Sequence, residues 1–355
     1  MNKINLLNFL VSLFDRWLEC NRINPMFKVG FRLIAIGISL ICGSGITKFY
    51  FNDFIVNKIS RTVFIELSSE PSQLLLFLGL GFIFIGLGFC LWGIKSINQN
   101  MNKKCFYYLI GLPNQSNNFP LEALPKIARW FPPKKVPLSI NTENIVEMKK
   151  KLLFHLEIIS NRIEQPEKDE IYFGGLARVP YLFFIGYGFR NAHSSITLLD
   201  HSHKTTKWFT LEDIDTIGLD LKPIDRSVKP NMNGDIGVAI EFTCKIPKND
   251  FPESLKEHVI RIKLNNDVTH NQIKSRIALE RIVDSISQLL IRLNKNSKTI
   301  HLFISAQSTF TFSLGRRYQD GMMGEIQVYN YDAKKKKYVW AFKLDGDEIK
   351  LVENC

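Results

Sequence analysis

Residues 74–94, LLLFLGLGFIFIGLGFCLWGI, run for 21 positions without a charge, and the rest of the chain is placed relative to them. As a helix rising about 1.5 Å per residue the stretch reaches roughly 32 Å, which matches a hydrocarbon core of about 30 Å. Its 14 Leu, Ile and Phe residues, at about −0.5 kcal/mol each, supply roughly −7 kcal/mol of insertion free energy. A buried helix of a soluble domain is rarely apolar on every face for so long. Trp92 and Lys95 mark the exit, an amphipathic ring at headgroup level followed by a charge that stays in water. The expectation is a transmembrane helix over 74–94.

Upstream, residues 29–46 (VGFRLIAIGISLICGSGI) form a second, shorter apolar run whose Arg32 snorkels to the surface, so a first span is expected there. Residues 47–73 then form an external loop. Residues 1–28 hold an interfacial helix: Asn5, Asn8, Ser12, Asp15, Arg16 and Glu19 fall on one narrow polar stripe. A cleaved secretory signal is the alternative, and the Asn and Asp residues interrupting its apolar centre count against it. Lys3, Arg16, Arg22, Lys28 and Arg32 precede the first span and Lys95, Lys103 and Lys104 follow the second. That asymmetry predicts two spans of an inner membrane with both termini cytoplasmic. Glycines recur every seven residues at 79, 86 and 93, at 81 and 88, and at 30 and 37 with Ser44. Each set lines a seam where another helix can approach, although glycine is also simply frequent in membrane helices.

The chain of 355 residues carries 46 Lys and Arg against 34 Asp and Glu, and from Lys95 onward 38 against 29. A mildly basic soluble part favours anionic partners such as phosphates or a lipid surface, and is equally an ordinary basic surface. The six cysteines (Cys20, Cys42, Cys90, Cys105, Cys244, Cys355) are scattered without a CxxC pair. This suggests no disulfide framework or zinc site and fits a reducing, cytosolic location for the soluble part best.

After a linker over 95–104 the pattern becomes α/β. Strands are expected over 105–111, 135–140, 170–175, 181–189, 195–199 and 207–211. A short helix is expected over 121–130 and a long amphipathic one over 142–163, capped by Asn141 or Thr142. A Pro-containing boundary over 222–235 precedes a second series: strands 236–243 and 257–264, helix 271–293, strand 299–305, helix 308–318, and strands 325–331 and 338–344. Two α/β lobes follow, each with a long helix and a strand, loop, helix unit, in different order in the two halves.

Catalytic signatures are absent: there is no GxSxG, no HExxH and no clustered acidic set, and the glycines at 79, 81 and 86 lie within the span rather than in a dinucleotide loop. His201 and His203, with His193 nearby, suit either a metal on one strand face or, with no accompanying carboxylate or cysteine set, a solvated hairpin tip. Lys334 to Lys337 read as a hairpin turn, with membrane-surface attraction as the other option. Three loops suit an anion. Ala306, Gln307 and Ser308 end a strand and start a helix, with Arg316 and Arg317 two to three turns later; Gly174 and Gly175, followed by Arg178, let the backbone approach a ligand; Asn114, Gln115 and Ser116 close the corresponding turn of the first half.

The stretch YFGGLARVPYLFFIGYGF followed by KWFTL, and HLFISAQSTFTFSLGRRYQDGMMGEIQVYNYDAKKKKYVWAFKL, resemble the middle and the C-terminal part of the SAVED domain. The likeness covers residues 105–344, with the domain extending over 105–355, and Gln307 stands where many relatives have proline. The resemblance implies two fused CARF-like lobes that bind a cyclic tri- or dinucleotide made by a partner nucleotidyltransferase (CD-NTase) in CBASS antiphage signalling. With two spans in front, the chain is similar to transmembrane SAVED effectors. These are non-enzymatic proteins without a cofactor or a DNA or RNA polymer partner, which oligomerise on ligand binding and disrupt the membrane. The ligand-binding set expected on this basis is Asn114, Gln115, Ser116, Tyr172, Gly174, Gly175, Arg178, Ala306, Gln307, Ser308, Arg316, Arg317 and Tyr318. A membrane-anchored enzyme acting on nucleotides, and a membrane scaffold that binds no nucleotide, are the alternatives.

Overall fold

The computed structural model describes residues 24–42, 73–112, 118–140, 142–163, 170–192, 195–215, 218–225 and 227–353. The chain divides into two compact units. One is built on the N-terminal helices together with Lys126–Pro132, and the other comprises Lys103–Pro125 and everything from Pro133 onward.

In the first unit, helix α1 (Pro25–Cys42) and helix α2 (Gln73–Lys103) pack against each other. Among the described residues, one helix, Leu74–Lys103, is long and apolar enough to cross a membrane, and only 17% of its most apolar window is buried. A Cβ on Gly30 would lie 2.6 Å from the Gly86 carbonyl oxygen, and one on Gly37 2.5 Å from that of Gly79; Gly93 faces Phe27 at 3.4 Å. Partners that rise on α1 as they fall on α2 make the pair antiparallel. The 79, 86, 93 seam is thus filled from within the chain, whereas Gly81 and Gly88 have none of the described residues within 4 Å of the same construction.

Two expected boundaries shift. Helix α1 begins at Pro25 instead of residue 29, because Asn24 caps it (its Oδ1 accepts from Met26 N at 2.9 Å) and proline suits the first helical position. The supposed linker 95–104 is the continuation of α2 to Lys103, since KSINQNMNK contains neither Gly nor Pro to stop it. Of the interfacial helix expected over 1–28, residues 1–23 lie outside the described residues and 25–28 belong to α1; Ser44 and residues 47–72 of the expected loop 47–73 also lie outside them.

The second unit holds two lobes that repeat one another. Lobe 1 is a five-stranded sheet ordered β2-β1-β3-β4-β5, made of β1 (Cys105–Ile110), β2 (Lys134–Ser139), β3 (Glu170–Leu176), β4 (Ser195–His201) and β5 (Trp208–Thr210). Between β1 and β2 the chain forms helix α3 (Lys126–Trp130), which belongs to the first unit. Lobe 2 is a six-stranded sheet ordered β11-β10-β9-β8-β6-β7, made of β6 (Asp235–Glu241), β7 (Val259–Ile262), β8 (Thr299–Ser305), β9 (Glu325–Asp332), β10 (Lys337–Asp345) and β11 (Glu348–Glu353). In each lobe four strands are parallel and the next one returns antiparallel. A 19-residue helix precedes the third strand of each lobe, α4 (Ile145–Ile163) in lobe 1 and α6 (Arg276–Asn294) in lobe 2. A short helix follows that strand, α5 (Val179–Gly188) after β3 and α7 (Ser308–Arg316) after β8.

The order of elements is therefore the same in both halves, contrary to the sequence-based expectation. The difference arises at residues 181–189, expected as a strand and folded as α5. Eight of its ten residues are buried, so the segment shows neither helical nor strand periodicity, and the informative signal is Pro180 in the first turn. The helix expected over 121–130 is split at Pro125 into a 3-10 turn (Leu121–Ala123) and α3. Helix α4 is capped not by residue 141 or Thr142 but by Asn144, whose Oδ1 accepts from Val146 N at 2.9 Å and Glu147 N at 3.2 Å. Strand β11 was not anticipated; it pairs with β10 after a turn in which Gly346 has φ of 59°.

The lobes meet along α5 and α7. A Cβ on Gly186 would collide with the Phe312 carbonyl, and one on Gly315 with that of Phe183, so both helices need glycine to approach this closely. Phe173 of β3 stacks on Phe312 of α7 with ring centroids 3.8 Å apart, and one buried apolar cluster runs from Tyr107 in lobe 1 to Phe342 in lobe 2.

Candidate functional site

In parallel α/β sheets ligands collect beyond the carboxyl ends of the strands, where helix N-termini point. The repeat places two equivalent junctions there. At each, the residue capping the central helix of one lobe reaches the end of the fourth strand of the other. Gln307 and Arg178 are the two caps, with nearly identical backbones (φ −61°, ψ 152° and φ −62°, ψ 143°). Asp200 near the end of β4 and Asn330 near the end of β9 are the two acceptors.

The Gln307 junction is closed. Its Nε2 donates to Asp200 Oδ2 at 2.5 Å and to Ile273 O at 3.0 Å, while its Oε1 accepts from Ile273 N at 2.7 Å. Asp200 also accepts from Ser308 Oγ at 3.1 Å, Asn271 Nδ2 at 3.4 Å and its neighbour His201 N at 2.9 Å. Asp200 is 2% exposed and Gln307 6%. Burial pushes the Asp200 carboxyl above the usual carboxylate range, and the hydrogen bonds from Gln307, His201 N, Ser308 and Asn271 pull the other way. Every polar atom of the Gln307 side chain is spent on protein.

The Arg178 junction is open. Asn330 is 4% exposed, and in the amide orientation that satisfies both donors its Oδ1 accepts from Trp340 Nε1 at 3.2 Å and Arg178 Nη1 at 3.3 Å. Above them lies a cleft of about 810 Å³ whose lining includes Arg178, Lys334, Lys335, Lys337, Tyr331 and Trp340. The acids on its wall are Glu143, Asp332 and Glu353. Asp332 is turned inward on its own hairpin, accepting from Lys334 N at 2.9 Å and Lys335 N at 3.2 Å, which holds its carboxyl below the usual range. A guanidinium, three ammonium groups and the exposed ring of Tyr331 make a pocket of a size and chemistry suited to an organic phosphate.

Of the described residues in the expected ligand-binding set, Arg178 alone lines this cleft. Tyr172, Gly174 and Gly175 are buried inside β3, and the two glycines are needed for strand packing, since a Cβ on Gly175 would collide with Leu109 and one on Gly174 would lie 3.1 Å from Leu199 Cβ. Ala306, Gln307 and Ser308 belong to the closed junction. Arg316, Arg317 and Tyr318 sit about 13 Å further along, at the other end of α7. There Arg316 donates to Ala192 O at 3.3 Å, Arg317 pairs with Asp284 at 3.0 Å, and Tyr318 donates to Gly324 O at 2.7 Å. Asn114, Gln115 and Ser116 lie outside the described residues. Lys334, Lys335 and Lys337 read as a plain turn in the sequence; only the packing of the β9–β10 hairpin opposite Arg178 makes them part of a site. His201 and His203 are adjacent, with ring centroids 6.1 Å apart, and His203 lies 4.4 Å from His270. No group of three metal-ligating side chains is placed to hold an ion among the described residues.

A sequence model of the family SAVED, described as "SMODS-associated and fused to various effectors sensor domain", matches residues 156–344. No curated protein sequence matches. Among solved structures, the Cap4 SAVED/CARF-domain containing receptor of Acinetobacter baumannii with the cyclic trinucleotide 2'3'3'-cAAA is similar at a TM-score of 0.48 and 16% identity, over 78% of this chain and 61% of that one. The same receptor with 3'3'3'-cAAA gives 0.46 and 16%, over 78% and 62%. Cap4 of Moraxella osloensis gives 0.40 and 14%, over 81% and 61%, so this chain spans less than two thirds of the Cap4 chains. The family match runs from within α4 to the end of β10, more than half of the sequence, taking in β3 to β5 of lobe 1 and β6 to β10 of lobe 2, and on that ground the chain belongs to the SAVED family.

Proposed function

We propose that this protein is a membrane-anchored receptor that takes a cyclic tri- or dinucleotide in the Arg178 cleft and answers by assembling and breaching an inner membrane. What supports the proposal is a chain that matches the SAVED sensor family over residues 156–344 and whose two-lobed unit follows a long apolar helix directly, α2 ending at Lys103 and β1 starting at Cys105. In this reading a CD-NTase supplies the ligand. Its phosphates meet Arg178, Lys334, Lys335 and Lys337, and a base finds the exposed ring of Tyr331. Helices α1 and α2 serve as two spans with both termini cytoplasmic, in keeping with the excess of Lys and Arg flanking them.

Assembly would use the seam left open. Among the described residues Gly81 and Gly88 face no neighbour, on a helix where Phe77, Phe84 and Leu91 are 68%, 70% and 67% exposed. Small residues on such a face admit a helix from a second copy. To move assembly from about 1% to about 99%, the ligand must favour the assembled state by about 5.5 kcal/mol, within reach of a few charge-assisted phosphate contacts. The test is dye release from sealed vesicles carrying the full chain, with a panel of cyclic di- and trinucleotides. Release with one member of the panel and none without it is expected; equal sealing with all of them would refute the proposal.

A further inference from the structure

The repeat carries an inference about how the ligand is held, which rests on the proposed function and narrows its site. At the closed junction a neutral amide (Gln307) meets a carboxylate (Asp200); at the open one a cation (Arg178) meets a neutral amide (Asn330). The same two backbone positions therefore carry opposite charge balance. Asp200 receives four donors and has no free lone pair turned toward solvent, and Ser308 and Gln307 are fully engaged with it. Arg178 hydrogen-bonds an acceptor that has no charge; the Asp332 carboxylate also feels its charge but is held by the amides of Lys334 and Lys335, so the guanidinium is not ion-paired at the junction itself. A guanidinium carries five donors, and a single amide oxygen leaves most of them for the cleft.

We infer that the ligand is gripped from one side: Arg178 contacts an anionic phosphate, Asn330 is the residue that positions Arg178, and the Gln307–Asp200 junction is a structural lock that contributes no ligand contact. Asn330 works through its neutrality. It is buried, it fixes the guanidinium and the Trp340 indole from a single oxygen, and it does not neutralise the charge the phosphate needs. A carboxylate at the same position, as Asp200 is at the other junction, would pair with Arg178 and close the cleft to anions.

The discriminating variant is Asn330→Asp, which gives the open junction the acceptor of the closed one. In the full chain, binding of 2'3'3'-cAAA, 3'3'3'-cAAA and a panel of cyclic dinucleotides is measured by calorimetry for the wild type, Arg178→Ala, Asn330→Asp, the Arg178→Ala/Asn330→Asp double variant and Ser308→Ala, alongside thermal melting. Arg178→Ala is expected to weaken binding about 10- to 100-fold, the loss of a charge-assisted contact. Asn330→Asp is expected to weaken it about as much while raising the melting temperature, and the double variant to lose no more than Arg178→Ala alone. Ser308→Ala, at the lock, is expected to keep affinity within about twofold and to melt lower. A residue with a purely structural role would not lose affinity while gaining stability. Wild-type binding that survives Asn330→Asp, or that falls with Ser308→Ala instead, overturns the one-sided grip and leaves the proposed function standing; a wild type that binds no member of the panel overturns both.

Discussion

Acidification should destabilise this protein through His155. The side chain is 5% exposed on α4, and its Nδ1 lies 2.7 Å from the buried Tyr181 hydroxyl on α5. Burial, helped by the Lys151 charge one turn away, lowers its pKa from 6.5 to about 4. The folded-state value lies below the unfolded one, so between pH 6.5 and about 4 the unfolded chain binds a proton that the folded chain refuses. Stability from this group is whole above pH 6.5 and is lost as the pH falls through that window. The full loss is about 3 kcal/mol, of which about 2 kcal/mol is reached by pH 5. Burial also lowers the pKa of His301, which loses stability in the same direction, so the informative quantity is the difference between the wild type and a single variant. His155→Gln retains a partner for Tyr181 and removes the titration. Denaturant unfolding of the solubilised full chain at pH 7.5, 6 and 5, followed by tryptophan fluorescence, should show the variant losing about 2 kcal/mol less than the wild type between the first and last pH. Equal losses would refute the account of a neutral, desolvated imidazole.

The two glycine seams make opposite predictions. Gly86→Leu should disrupt the α1–α2 pair, because even the first added carbon would sit 2.6 Å from Gly30 O and force a retreat of about 0.8 Å, an overpacking cost of about 1–3 kcal/mol; lower yield of folded protein from membranes checks it. Gly88→Leu should leave folding and cyclic-nucleotide affinity unchanged and abolish vesicle leakage, since its Cβ meets none of the described residues. At the soluble unit, Asn144→Ala removes the cap of α4 and should lower stability by about 1 kcal/mol, read as a shifted unfolding midpoint with an unchanged denaturant slope.

Much of the architecture was legible because it is written in local patterns. The long amphipathic helices α4 and α6 bury Met148, Leu152 and Ile159, and Leu279, Ile282, Val283 and Ile286, at helical spacing, and that spacing is visible in any 19-residue window. Strands such as β8, TIHLFIS, end in small polar residues where the chain must turn. Helix α5 was misread because burial on all sides erases periodicity, and with it went the recognition that the halves repeat. The candidate site was legible only at Arg178. The anion-binding appearance of Gln307 and Ser308 is a property of any helix start, and what cancels it is Asp200, more than 100 positions earlier in the chain.

The amino-acid sequence by itself determined the uncharged 74–94 helix, the alternation of strands and helices after residue 104, and the likeness to the SAVED family. These follow from hydrophobicity and periodicity summed over neighbouring residues, which need no knowledge of the fold. Tertiary structure decided which cap faces a carboxylate and which faces an amide, and that Lys334, Lys335 and Lys337 of a surface turn stand opposite Arg178. It also decided which glycine seam is already occupied. Each of these depends on groups brought together from distant parts of the chain, where the free energy of a charge or a void is set by its neighbours in space and not by those in sequence.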